Sequence, residues 1–242
     1  MCGNMLTHTE AIVLNYTKYS DSSLIAHTLT SHYGRQSLMV HGIGKSKQNR
    51  LGFFQPLFLL DIHLYFKPGQ IQKIKEFKLL IPLQELSQNV YKNTIALFLS
   101  EVLYRCVKEE FADEQLFGFV KTSILILDEI KSGIPLFHIA FMVKLARRLG
   151  FMTDEKIQKD YFDFKEGHEI DFKPPHDFYI GKEGHNILIE LLHQPYTELE
   201  NLSVTLIQRN YLLDAVVLLY EHQILNFKAI KSYPVLKEVF SQ

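Results

Sequence analysis

Between Leu57 and Phe66 the chain alternates. Phe58, Leu60, Ile62, Leu64 and Phe66 fall on one side of an extended backbone, and Leu57, Leu59, Asp61, His63 and Tyr65 on the other. A period of two belongs to a strand with one face in a core and the other half exposed. Three β-favouring runs precede it: Thr9–Tyr19, with Val13, Tyr16 and Thr17; Ser23–Thr30, ended by Ser31 and Gly34; and Gln36–Val40, ended by Gly42. Pro68-Gly69 is a turn, after which Ile71–Leu80 continues as a fifth strand carrying Lys73, Lys75 and Lys78. Five short strands in eighty residues, most of them separated only by turns, predict a small barrel.

After Pro82 the period changes. Ile95, Phe98, Leu99, Val102, Leu103 and Cys106 fall at i, i+3, i+4, i+7, i+8 and i+11, one apolar stripe of a helix. Cys106 on that stripe reads as a buried small hydrophobe rather than a reactive thiol. A second helix is expected over roughly Glu114–Lys131, stopped near Gly133. A third spans roughly Pro135–Leu149, with proline in its first turn and Gly150 just past its end. Residues 153–182 are polar, aromatic and turn-rich, with a short hairpin around Tyr161–Phe172. Helices return at Glu183–His193 and within Ser203–His222, and a short one follows Pro234. The pattern predicts an α+β protein: a β-barrel over residues 1–80 and a mainly α-helical domain over 81–242, with the boundary near Leu80–Ser87.

Composition narrows the class. In 242 residues, 47% are hydrophobic and 22% charged, which excludes a wholly disordered chain. No apolar run reaches the ~18 residues of a membrane helix, and MCGNMLTHTE has neither the basic start nor the apolar core of a secretory signal. Cys2 and Cys106 are too few for a disulfide framework or a four-thiolate zinc site, so a reducing cytoplasm is expected. The net charge of −1 conceals an asymmetry. Residues 1–80 hold nine Lys/Arg against four Asp/Glu, and residues 81–242 hold seventeen against twenty-three. A basic front half on an acidic back half points the front toward a polyanion, against the plainer reading of chance composition.

The segment HGIGKSKQNRLGFFQP, His41–Pro56, sets Lys45, Lys47 and Arg50 between two strands, with Gly42, Gly44 and Gly52 loosening the backbone. A pliable basic loop on a small barrel suits a phosphate backbone; the alternative is a solvated loop that is basic by chance. It lacks the spacing of a nucleotide P-loop. With Arg35, His41, Lys73 and Lys75, these cations are the candidate DNA contacts. Tyr16, Tyr19, Tyr33 and Tyr65 are available to stack bases or simply to pack. On the third helix, Phe137, Phe141, Lys144 and Arg148 share one row, with Arg147 beside them. That row suits a peptide with acidic and apolar residues. Cations in a last helical turn also offset the macrodipole by roughly 0.3–1 kcal/mol without any partner. His168, His176 and His185 lie near Asp160, Asp163, Glu166, Glu169 and Asp171, but no pair has HxxxH or HExxH spacing, so neither a metal nor a cofactor is expected. Nucleophile-elbow and dinucleotide-binding motifs are absent.

These residues carry a resemblance. Ala11–Leu14, the Tyr19–Ser22 turn, the strand from Gly34 to Gly42, the basic Lys45–Arg50 loop and Gln55-Pro56 ahead of a long strand follow the order seen at the start of the RecO family of bacterial DNA repair proteins. FMVKLARRLGFMTD, Phe141–Asp154, resembles that family's helix ending in a Leu-Gly-Phe step, and SYPVLKEVF, Ser232–Phe240, its closing helix. The resemblance spans nearly the whole chain. It implies that the barrel is an OB-fold and that the protein is a non-enzymatic recombination mediator. Such a protein binds single- and double-stranded DNA, anneals complementary strands and helps RecA load onto strands coated by single-strand-binding protein (SSB). It works with RecR and with the acidic tail of SSB, in the bacterial cytoplasm at the nucleoid and not at a membrane. Phe141, Lys144, Arg147 and Arg148 are then the expected SSB-tail contacts. Many family members carry four zinc-binding cysteines after the Leu-Gly-Phe step. Here Asp154–His185 has none, so the resemblance brings no zinc. Two rivals stand beside this reading: an adaptor whose DNA binding is incidental, and a metal-dependent nuclease using the acidic cluster after Asp154.

Overall fold

The alternating segments form strands β1 (Leu6–Ser20), β2 (Ser23–Thr30), β3 (Gly34–His41), β4 (Leu59–Tyr65) and β5 (Gln72–Leu79). The computed structural model describes residues 6–43, 50–108, 112–225, 227 and 230–241. The five strands close into a barrel in the order β1-β2-β3-β5-β4. β1 is long enough to serve two neighbours. Its first half pairs with β4, from Leu6 opposite Tyr65 to Ile12 opposite Leu59, and from Ala11 onward it pairs with β2. Register shifts at Val13/Asn15 and Lys18/Ser20 accompany this change of partner, as bulges do where a strand bends. β3 and β5 meet in parallel at Leu38–Gln72 and Met39–Lys73, the only parallel seam of the barrel among the described residues. Val13, Leu24, Leu38, Leu60, Ile62 and Leu64 fill the interior.

β4 begins at Leu59, two residues later than the alternation predicts. Gln55–Phe58 is instead a turn, closed by a hydrogen bond from the Phe58 amide to the Gln55 carbonyl at 3.1 Å. Pro56 takes its second position and Leu57 its third, with φ at 63°, the geometry of a type II turn. A bulky residue accepts that backbone because Leu57 is only 1% exposed and its amide donates to the Val13 carbonyl at 2.8 Å.

Seven helices follow among the described residues: α1 (Gln84–Gln88), α2 (Val90–Cys106), α3 (Glu114–Glu129), α4 (Ile134–Arg148), α5 (Lys182–His193), α6 (Leu206–Gln223) and α7 (Ser232–Val239). The Asn89 side chain caps α2 by accepting from the amides of Tyr91 and Lys92. Thr205 and Gln208 form a reciprocal capping box at the start of α6. α4 ends in a Schellman motif: the Phe151 amide donates to Ala146 and the Gly150 amide to Arg147, with Gly150 at φ 78°. That motif is the physical content of the Leu-Gly-Phe step. Burial pushes the Cys106 thiol above its ordinary range, with Lys108 opposing weakly. The turn-rich insert folds as a three-stranded sheet of order β7-β6-β8: β6 (Tyr161–Asp163), β7 (His168–Ile170) and β8 (Tyr179–Gly181). The chain packs as two units, Met1–Asp128 and Glu129–Gln242, so α1, α2 and most of α3 cluster with the barrel.

Candidate nucleic-acid interface

The end of β3, the one-turn helix Arg50–Phe54 and the middle of β5 enclose a cleft of about 320 Å³. His41, Arg50 and Lys75 line it, together with Phe53, Phe77 and one acid, Glu76. Three of the expected DNA contacts are thereby brought to one place. His41 is held by a 3.0 Å hydrogen bond between its Nδ1 and Ser23 Oγ, and β3 is fastened beyond it by the Gly42 and Ile43 amides, both donating to the Ser22 carbonyl. The Arg50 guanidinium lies 5.8 Å from the centre of the Phe77 ring, and Phe53 meets the same ring edge-on at 5.7 Å. Half-buried rings beside exposed cations are a combination that accepts both a base and a phosphate. Sequence reasoning missed Phe53 and Phe77. The available signal was the placement of Phe77 among the β5 lysines and of Phe53 three residues after Arg50. Lys45 and Lys47 lie outside the described residues.

The other expected contacts are placed differently. Arg35 is a clamp, not an outward-facing cation. Its Nη1 donates to the Tyr104 and Val107 carbonyls at 3.0 and 2.9 Å, at the end of α2, and the guanidinium stacks 4.2 Å from the Tyr104 ring. Those carbonyls lack intrahelical partners, and a guanidinium fork satisfies them well. Lys73 is exposed opposite Tyr65, outside the cleft. Of the tyrosines, Tyr19 and Tyr65 are exposed, whereas Tyr33 packs flat on Phe66 at 4.0 Å and hydrogen-bonds Thr7.

On α4 the expected peptide row does not form a surface. Phe141 is 1% exposed and belongs to the core, which corrects its assignment as a binding wall. Lys144 donates to the Leu192 and Gln194 carbonyls at the end of α5 and lies 5.4 Å from the Tyr196 ring. Burial first, and Arg148 second, lower its pKa to about 8. Arg147 reaches the surface, pairs with Asp154 at 3.1 Å and lines a cleft of about 660 Å³ with Phe151, Met152 and Lys156. Arg148 is exposed, and its Nη1 donates to the Lys144 carbonyl.

The acidic segment after Asp154 does not converge. Asp154 faces Arg147, Glu169 accepts from the Gln158 and Lys159 amides, Asp171 pairs with Lys159, and Asp163 accepts from the turn that follows it while meeting His176. His185 is fully buried against Phe162 at 4.7 Å, apart from exposed His168.

These features define a class: an OB-type barrel with a cation- and aromatic-lined cleft, continued by a helical unit. Residues 5–82 match the family Recombination protein O N terminal, and residues 87–233 match Recombination protein O C terminal. The chain belongs to the RecO family. It is 31% identical over 240 residues to the DNA repair protein RecO of Azobacteroides pseudotrichonymphae and 33% identical over 242 residues to that of Bacteroides fragilis, in each case covering 98% of this chain and 100% of the relative. The DNA repair protein RecO of Flavobacterium johnsoniae is 31% identical over 241 residues, with the same coverage. Among the described residues, no helix is long and apolar enough to cross a membrane.

Proposed function

We propose that this protein binds single- and double-stranded DNA through its barrel, anneals complementary strands and, with RecR, assists RecA loading onto SSB-coated DNA, without making or breaking a covalent bond. The observation that carries the DNA contact is the cleft of His41, Arg50 and Lys75 with its Phe53 and Phe77 rings. Phosphate contacts release counterions, so affinity falls steeply with salt, by a slope of about 0.7 per neutralised phosphate on single strands. Replacing Lys45, Lys47 and Arg50 together by Ala is expected to weaken single-strand binding about tenfold or more near physiological salt. The salt slope should flatten by about two units. Titration of labelled oligonucleotide at several salt concentrations reads both. Unchanged affinity and slope would remove this cleft as the contact and favour an adaptor whose DNA binding is incidental.

For the acidic SSB tail, the proposed contacts are Arg147 and Arg148. The apolar wall comes from half-buried Phe151, which lines the cleft beside Arg147, in place of the buried Phe141. Charge-assisted bonds of this kind contribute roughly 1.5–3 kcal/mol each. Arg147→Ala and Arg148→Ala should each weaken tail-peptide binding on that scale, and wild-type peptide affinity in both variants would reject the site.

A further inference from the structure

We propose that His8, Asp61 and His63 form a binding site for a zinc-class transition-metal ion on the outer face of the barrel. This rests on the β1–β4 pairing alone and is independent of the DNA reading. His8 and His63 are directly opposed across the two antiparallel strands, with ring centres 5.1 Å apart. Asp61 lies two residues before His63, so the strand period puts it on the same face. Its Oδ1 already meets His8 Nε2 in a short hydrogen bond. One donor atom from each of the three residues lies within 4.8 Å of the other two, the one such grouping of three among the described residues. Tetrahedral zinc, with bonds of about 2.0–2.2 Å, needs donors about 3.4 Å apart, a distance that side-chain rotation on adjacent strands can reach.

The donor set selects the metal. Two imidazoles and one carboxylate suit Zn²⁺, Co²⁺ or Ni²⁺ and disfavour Mg²⁺ and Ca²⁺, which take all-oxygen shells. Three protein ligands leave one position for water. Lys78 holds the other carboxylate oxygen, Oδ2, at 3.1 Å and so orients Oδ1 toward His8, the kind of support that outer partners give to metal ligands. Glu76, directly across from His63 on β5, adds negative charge beside the site. The ion would bridge β1 and β4, which form the seam that closes the barrel. No sequence motif marks it, because His8 stands 53 residues from Asp61 and only strand register joins them.

The test uses the full chain, stripped with chelator and titrated with zinc chloride by calorimetry. The expected result is one equivalent bound, and binding weakened at least tenfold by His8→Ala, by His63→Ala and by Asp61→Asn, which keeps the side chain's shape. His168→Ala, in the other unit, should bind as the wild type does. Zinc should raise the thermal midpoint of the wild type and leave that of the His8→Ala/His63→Ala double variant unchanged, with circular dichroism reporting that each variant is folded. Absence of a saturable single equivalent in the wild type, or wild-type binding by the double variant, would overturn the site.

Discussion

Lys144 shows how a single residue can look functional in a sequence and structural in a fold. Its row on α4 carries cations near a helix end, but only packing reveals that the ammonium closes off the last carbonyls of α5. Arg35 does the same for α2, and nothing in the sequence around it says which helix would meet it. Phe141 lies on an apolar stripe, and a stripe does not say how much of its width is covered. The charge on Lys144 has a thermodynamic consequence. Its folded pKa of about 8 lies below the ordinary lysine value of 10.5, so between those two values the unfolded chain binds more protons and stability rises with pH. Its favourable contribution is complete above about pH 10.5 and is lost as the pH falls through about 8. Denaturant unfolding at pH 7 and pH 9.5 should show the wild type gaining stability relative to Lys144→Met. The gain should be on the order of 1 kcal/mol, since the ammonium is only half-buried and solvent screens it.

At the scale of elements, most of the fold was legible because local signals agreed: period-two runs for the barrel, a 3.6-residue stripe for α2, and proline and glycine bracketing α4. Short pieces escaped. α1 has five residues, too few for a periodic pattern, and β8 has three, defined only by its pairing with β6. The glycines around α4 were read as stop signals, and the structure divides them by mechanism. A Cβ added at Gly150 would meet nothing within 4 Å, so Gly150→Ala should cost only the left-handed backbone, about 1 kcal/mol. At Gly133, also left-handed at φ 68°, a Cβ would come within 2.9 Å of the Leu199 Cβ. Gly133→Ala should therefore cost roughly 1–3 kcal/mol more than Gly150→Ala, the scale of overpacking, because neither the backbone nor a Cβ can swing away. Thermal unfolding of the two variants should rank them in that order, and equal midpoints would show that the strand of chain around Leu199 yields.

For the whole molecule, charge and chemistry are divided along the chain, and the division supports the proposed mediator over a nuclease. The front eighty residues carry the excess of cations and the cleft that gathers two of them, Arg50 and Lys75, beside His41. The acids after Asp154, which in the sequence resembled a cluster, point to separate partners once folded: Asp154 to Arg147, Asp171 to Lys159, Glu169 to two backbone amides. Sequence proximity could not show this, since the partners of these acids are set by the fold: Arg147 on α4 for Asp154, and the amides of Gln158 and Lys159 for Glu169. Metal-assisted phosphodiester cleavage needs carboxylates converging on shared ions about 3.5–4 Å apart. Carboxylates already committed to amides and to opposite charges do not offer that. Incubated with labelled complementary strands and Mg²⁺, the protein is therefore expected to convert single strands to duplex while leaving their lengths unchanged. The Lys45, Lys47 and Arg50 triple variant should anneal more slowly, and added salt should slow the wild type more than the variant, because the wild type has more phosphate contacts to lose. Shortened strands in the presence of Mg²⁺ would assign the acids after Asp154 a catalytic role. Annealing that is equally fast in the triple variant would move the DNA contact away from the barrel cleft.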